Sequence, residues 1–101
     1  QEDHVSMAAH AACRLHDMND NLGRIVGIEL LTAAQGISFR APLQSSPILE
    51  GAIARLRQHV PALNTDRYMA RDLETAASLV RNGDMIAGID GTLFPQLEQL
   101  A

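Results

Sequence analysis

The residues that could do chemistry sit mostly in the first part of the chain. The run Gln1-Glu2-Asp3-His4 packs an amide, two carboxylates and an imidazole together. Behind it come His10, Cys13, His16 and the polar stretch Asp17-Met18-Asn19-Asp20-Asn21. His4, His10 and His16 are six residues apart. On a helix that step turns ~240°, so successive histidines do not share a face. Paired metal ligands need i, i+4 or similar geometry, and surface or interface histidines are the simpler reading, with no metal expected. Asp17–Asn21 loosely resembles a calcium loop but has neither its glycine nor its downstream glutamate, and it reads as a solvated helix face. Cys13 has no adjacent cysteine, and a catalytic cysteine needs an electropositive site and a base, so it reads as structural. Gly88-Ile89-Asp90-Gly91 is turn chemistry, not a phosphate loop. For Gln1-Glu2-Asp3-His4 two readings stay open. It is a solvated helix start, or it presents a partly desolvated carboxylate whose raised pKa suits acid–base work.

The elements that would position these residues are helical. The 101 residues fit one domain and are 47% hydrophobic but only 3% aromatic, without Trp, so the apolar content is Ala, Leu, Ile, Val and Met. His4 to Gln35 has no proline and predicts a helix of ~30 residues, ~45 Å long, that Asp3 caps and Gly36 stops. Leu15, Met18, Leu22 and Ile25 form one apolar stripe and Val26, Leu30 and Ala33 a second. Gly23 and Gly27 either permit a bend or make room for a neighbouring backbone. A helix apolar on more than one side wants neighbours on most sides, beyond what the rest of this chain supplies.

Ile37 to Ser45 reads as a connection containing Pro42. Ser45 or Ser46 then caps a helix that has Pro47 in its first turn and runs to about Val60, with Ile48, Leu49, Ala52, Ile53 and Leu56 inward. Pro61 ends it, and Asn64-Thr65-Asp66 is a turn and a cap candidate. A third helix is expected over Ala70 to Asn82, with Leu73, Ala76, Ala77 and Val80 inward, stopping at Gly83. The tail from Asp84 is too punctuated for more than a short helical turn. The fold class is therefore all-α: one long N-terminal helix, two shorter helices and an irregular C-terminal tail.

Charge and composition narrow the function. The net charge is -4, with eight Arg and no Lys, which argues against nucleic acid and anionic membrane surfaces as partners. No window is apolar over the ~18 residues of a membrane span. Cys13 cannot form an intrachain disulfide, and a cytoplasmic setting is expected. The start at Gln1, which is neither an initiator Met nor a signal peptide, leads us to expect a piece of something longer.

The run Gln1-Glu2-Asp3-His4-Val5-Ser6-Met7 resembles a signature segment of the histidine ammonia-lyases. The resemblance continues through Ile28-Glu29-Leu30-Leu31-Thr32-Ala33-Ala34-Gln35-Gly36-Ile37 and Phe39-Arg40-Ala41-Pro42-Leu43. It goes on through Ser45-Ser46-Pro47, Leu49-Glu50, Asp66-Arg67, Asp72-Leu73-Glu74 and Leu79-Val80, covers nearly the whole chain in order, and is weakest after Gly83. It implies that residues 1–101 are a single C-terminal helical segment of a mostly helical homotetrameric enzyme. Such an enzyme eliminates ammonia from L-histidine to give trans-urocanate, in histidine degradation. The family's electrophile, a methylidene-imidazolone group, forms from an internal Ala-Ser-Gly that this sequence lacks, so the segment alone should be inactive. The resemblance makes Glu2 the catalytic residue, near substrate and prosthetic group, with Gln1 beside it shaping the substrate site. Phenylalanine and tyrosine lyases resemble the region too but usually carry Gln at the position of Glu2. A carboxylate can pair with an ammonium or imidazole where an amide cannot, so Glu2 favours histidine. Cys13 stands where relatives commonly have a basic residue, a difference of packing or ion pairing. The competing expectations are a phenylalanine/tyrosine ammonia-lyase or aminomutase, and a non-catalytic helical assembly module.

Overall fold

A computed structural model describes residues 5–96. Among them are three α-helices, α1 (Ala8–Ser38), α2 (Pro47–Arg57) and α3 (Ala70–Arg81), followed by two single-turn 3-10 helices at Asp84–Ile86 and Gly91–Leu93. The expected all-α class and element order hold. No described helix is long and apolar enough to cross a membrane.

Helix α1 has 31 residues, about 46 Å at 1.5 Å per residue. It begins at Ala8, not His4. Its N-cap is Met7, which makes no side-chain capping bond, and the cap expected at Asp3 lies outside the described residues. At the other end α1 passes through Gly36, correcting the expected stop. A glycine ends a helix by turning left-handed, and among the described residues the positive-φ glycines are Gly83 and Gly88. The last turn is carried instead by Phe39 N–H donating to Gln35 O (3.2 Å) and the Ser38 hydroxyl donating to Ala34 O (2.9 Å). Gly83, at φ 78, closes α3 as expected.

In α2, Pro47 occupies the first turn and Ser46 Oγ accepts from Leu49 N–H at 3.4 Å. Regular helix ends at Arg57, three residues short of the expected Val60. Turns follow, with His59 and Val60 N–H both donating to Leu56 O. Met69, without a side-chain bond, caps α3, so the Asn64–Asp66 turn is not its cap; Asp72 supplies the acid in its first turn.

The core is small. Leu31, Ala34, Leu56, Val60, Ala76 and Leu79 are buried, with Leu30, Met69, Leu73 and Met85 packed against them. The face of α1 that enters it is not the stripe of Leu15, Met18, Leu22 and Ile25, in keeping with the expectation that this chain leaves part of α1 uncovered. The buried residues of α1 are Gly23, Gly27, Leu31 and Ala34, whereas Leu15, Met18, Leu22 and Ile25 are all more than half exposed. Of the second stripe, Val26 and Leu30 are half-buried and Ala33 is exposed. The physical reason is close approach. A Cβ on Gly27 would lie 2.8 Å from Ala77 N and 3.1 Å from Ala76 C, so α3 rests backbone against backbone on this point of α1. One at Gly23 would meet Arg81 Cγ at 3.0 Å. Of the two roles expected for these glycines, room for a neighbour is the one observed. In α2, Leu56 is buried and Ala52 and Ile53 half-buried, but Ile48 and Leu49 are exposed. In α3, Ala76, Ala77 and Leu79 are buried, with Leu73 and Val80 half-buried.

The molecule is extended, with a radius of gyration of 18.4 Å against ~13 Å for a compact chain of this length. It exposes 8300 Å², where a compact monomer of its mass would expose about 5,600 Å². The N-terminal half of α1, through Leu22, projects bare of tertiary cover.

Candidate functional site

Two regions hold side chains that could act on a ligand or partner. They lie at opposite ends of α1.

The first is the approach to α1. Gln1 and Glu2, the site residues expected from the sequence, lie outside the described residues, as do Asp3 and His4. From Val5 the chain runs irregularly for three residues and enters α1 at Ala8, whose N–H donates to Ser6 Oγ at 3.4 Å. The first turns expose His10 and Arg14 one helical turn apart on one face. Cys13 is free and exposed, on a bare helix surface and not in a packed one. His16, Asp17 and Asp20 are exposed inside a continuous helix, which rules out a calcium-loop conformation for Asp17–Asn21. No group of three or more His, Cys, Asp or Glu that could hold a metal is found among the described residues.

The second region is a groove of about 430 Å³ where the C-terminal part of α1 meets the segment joining α2 to α3. Its walls include Ile28, Leu31, Val60, Leu63, Met69 and Leu73, with Phe39 at the rim. Gln35 builds it. Its amide donates from Nε2 to Leu63 O (3.1 Å) and accepts at Oε1 from Leu63 N–H (2.9 Å), so one side chain satisfies both backbone groups of a loop residue. Arg67 fixes the rest of the loop. Its guanidinium donates from Nε to Asp72 Oδ2 (2.8 Å), from Nη1 to Ala62 O (3.1 Å) and from Nη2 to Pro61 O (2.8 Å). Arg67 and Asp72 are largely covered, so this pair is screened less than the exposed pairs of Glu74 with Arg24 and Arg81.

Arg57 also lines this groove, and its charge is not matched. Its Nη1 donates to Val60 O at 3.4 Å, and its Nη2 is out of solvent with no partner among the described residues. Burial first, and then the charge of Arg67, lower its pKa from the ordinary arginine value. The sequence reading did not single out Gln35 or Arg57, and no local signal marks them. Gln35 pairs with a residue 28 positions away, and Arg57 looks like an ordinary basic residue in the last turn of a helix.

The residues quoted for the resemblance point to one class of protein. The profile described as aromatic amino acid lyase matches residues 1–58, and the chain belongs to that family. Within it, the chain is 59% identical to a histidine ammonia-lyase of Bradyrhizobium diazoefficiens, a match covering 96% of this chain and 20% of that protein. It is 58% identical to the histidine ammonia-lyase of Roseobacter denitrificans, over 93% of this chain and 18% of the relative. With the histidine ammonia-lyase of Bartonella quintana the identity is 52%, over 97% and 19%. The chain thus spans about a fifth of the length of the curated relatives it matches.

Proposed function

We propose that residues 1–101 are the C-terminal helical segment of an enzyme that eliminates ammonia from L-histidine to give trans-urocanate. The observation that carries this is the identity of 52–59% to histidine ammonia-lyases over nearly the whole chain. The carboxylate at Glu2 supports histidine over phenylalanine or tyrosine as substrate, because it can pair with an imidazole or ammonium. The parent is a cytoplasmic homotetramer in this reading. The exposed stripe Leu15, Met18, Leu22 and Ile25 on a projecting helix supports assembly, since apolar faces of this kind are buried in oligomers.

The chemistry divides between this chain and the rest of the parent. Elimination breaks a C–H and a C–N bond and forms a C=C bond. The family's methylidene-imidazolone group supplies the electrophile when present. No Ala-Ser-Gly occurs in this sequence, so no residue here forms it and no step through it is assigned to this segment. What the segment contributes is Glu2, with Gln1 beside it. A carboxylate there orients the amine, binds the imidazole or moves a proton.

The test is Glu2→Gln in the full-length enzyme, which keeps the shape and removes the charge. Urocanate formation, followed in the near ultraviolet, should fall by ~100-fold or more if Glu2 acts in the transition state. A raised KM with unchanged kcat would make it a ground-state binding residue. Full activity with the tetramer and prosthetic group intact would remove Glu2 from the site.

A further inference from the structure

The groove between α1 and the α2–α3 connection has a chemistry of its own. Its walls are apolar, and Arg57 and Arg67 both line it. Arg67 is neutralised by Asp72 at 2.8 Å. Arg57 has no carboxylate among the described residues, and its Nη2 is shielded from water without a hydrogen bond. A shielded guanidinium nitrogen left unbonded is costly, and folded proteins pair such groups. The pKa of Arg57 is lowered by burial and by the charge of Arg67, the direction expected where a positive charge is covered without compensation. The groove therefore selects an occupant with an apolar side chain for the walls and a carboxylate for Arg57.

The length of the relatives says where such an occupant comes from. The match covers about a fifth of their length, so under the function proposed above most of the polypeptide lies outside these residues. A tethered segment reaches the groove at a high effective concentration, unlike a free ligand or a second molecule.

We infer that the groove seats a segment of the same polypeptide lying outside residues 1–101, with an apolar side chain against Leu31, Val60 and Leu73 and an Asp or Glu carboxylate on Arg57. The carboxylate accepts from the unbonded Nη2, and the apolar side chain covers the walls up to Phe39. This rests on the proposed place of residues 1–101 in a longer lyase and not on its reaction, so the test does not read activity.

In the full-length protein, Phe39 at the rim, 79% exposed here, is replaced by the photo-cross-linking residue p-benzoylphenylalanine. A mixture of isotopically heavy and light subunits is irradiated and digested, and the joined peptides are identified by mass. The expected product links Phe39 to a peptide of the same subunit, outside residues 1–101, that contains Asp or Glu. Changing that acid to its amide should lower Tm by a few degrees, and should lower it no further in an Arg57→Met background, the signature of a coupled pair. If Arg57→Met does not fold, Arg57→Lys serves, and the same acid-to-amide change should then cost less than in the parent. A heavy–light cross-link would overturn the inference in favour of a second copy. So would suppression of the cross-link by millimolar urocanate, which would make the groove a small-carboxylate site. Additive Tm changes, or no cross-link to protein at all, would equally refute it.

Discussion

The contact between Gly27 and α3 gives the sharpest quantitative test of the fold, because a second glycine on the same helix provides the control. Glycine inside a helix costs roughly 0.5–1 kcal/mol relative to alanine. At Gly36 an added Cβ meets nothing within 4 Å, so Gly36→Ala should be stabilising by about that amount. At Gly27 the same methyl group would sit 2.8 Å from Ala77 N and 3.1 Å from Ala76 C and Ala77 Cα. These are backbone atoms of a packed helix and cannot rotate away, so α3 must lift off α1. Overpacking of this kind costs typically 1–3 kcal/mol. Set against the gain in helix propensity, Gly27→Ala should destabilise by up to about 2 kcal/mol. The two substitutions are chemically identical and should move stability in opposite directions, by about 2 kcal/mol between them at mid-range costs. Thermal melts of the 101-residue chain followed by helical circular dichroism read this directly, since 1 kcal/mol shifts Tm by about 4–8 °C in a domain of this size. Stabilisation by Gly27→Ala equal to that by Gly36→Ala would refute the backbone contact between α1 and α3.

Three further outcomes follow from the geometry. Gln35→Leu removes both hydrogen bonds to Leu63 and should cost about 1–3 kcal/mol at 0.5–1.5 each; unchanged hydrogen exchange at the Leu63 amide would show that Gln35 does not hold the loop. Asp90 accepts from both Thr92 N–H and Thr92 Oγ–H, which lowers its pKa. The turn at Gly91–Leu93 should therefore be fully supported above the ordinary aspartate value and lose that support as pH falls through the lowered folded value; a Thr92 amide titration with its midpoint at or above ~3.9 would contradict this. The purified 101-residue chain alone should form no urocanate, because it carries no Ala-Ser-Gly; a steady rise in near-ultraviolet absorbance with L-histidine would refute it.

Most of the architecture was legible because it depends on local signals. Pro47 after Ser46 and Gly83 in the left-handed region marked boundaries that the backbone respects. The face of α1 was not legible, because apolar periodicity ranks large side chains above small ones. Leu15, Met18, Leu22 and Ile25 repeat correctly, yet nothing among the described residues buries them. The core takes the Gly23–Gly27–Leu31–Ala34 line, which has room for α3. Gly36 was misread for a related reason. The last turn beyond it is held by Phe39 N–H on Gln35 O and the Ser38 hydroxyl on Ala34 O, bonds that a scan for helix-stop residues does not weigh. The family was readable from the motif at the start of the chain, whereas Arg57 shows itself as a shielded, unbonded charge only in three dimensions.

The two candidate regions are far enough apart to be separated by experiment. Ile28, the groove residue nearest the start of α1, is about 30 Å along the helix axis from Ala8, and Glu2 precedes Ala8 in the chain. Interactions between exposed charges fade over the ~8 Å Debye length of physiological salt. A direct effect of Arg57 or Gln35 on the reaction is therefore not expected. Their loss should act through the fraction of folded, assembled protein, and kcat per folded subunit should stay near that of the parent. Glu2→Gln should do the reverse, leaving stability almost unchanged while turnover falls. Each of these two outcomes can fail alone. A groove variant with normal Tm and slow turnover would tie the two ends of α1 together mechanically, and a Glu2 variant that melts early would make that carboxylate a structural group.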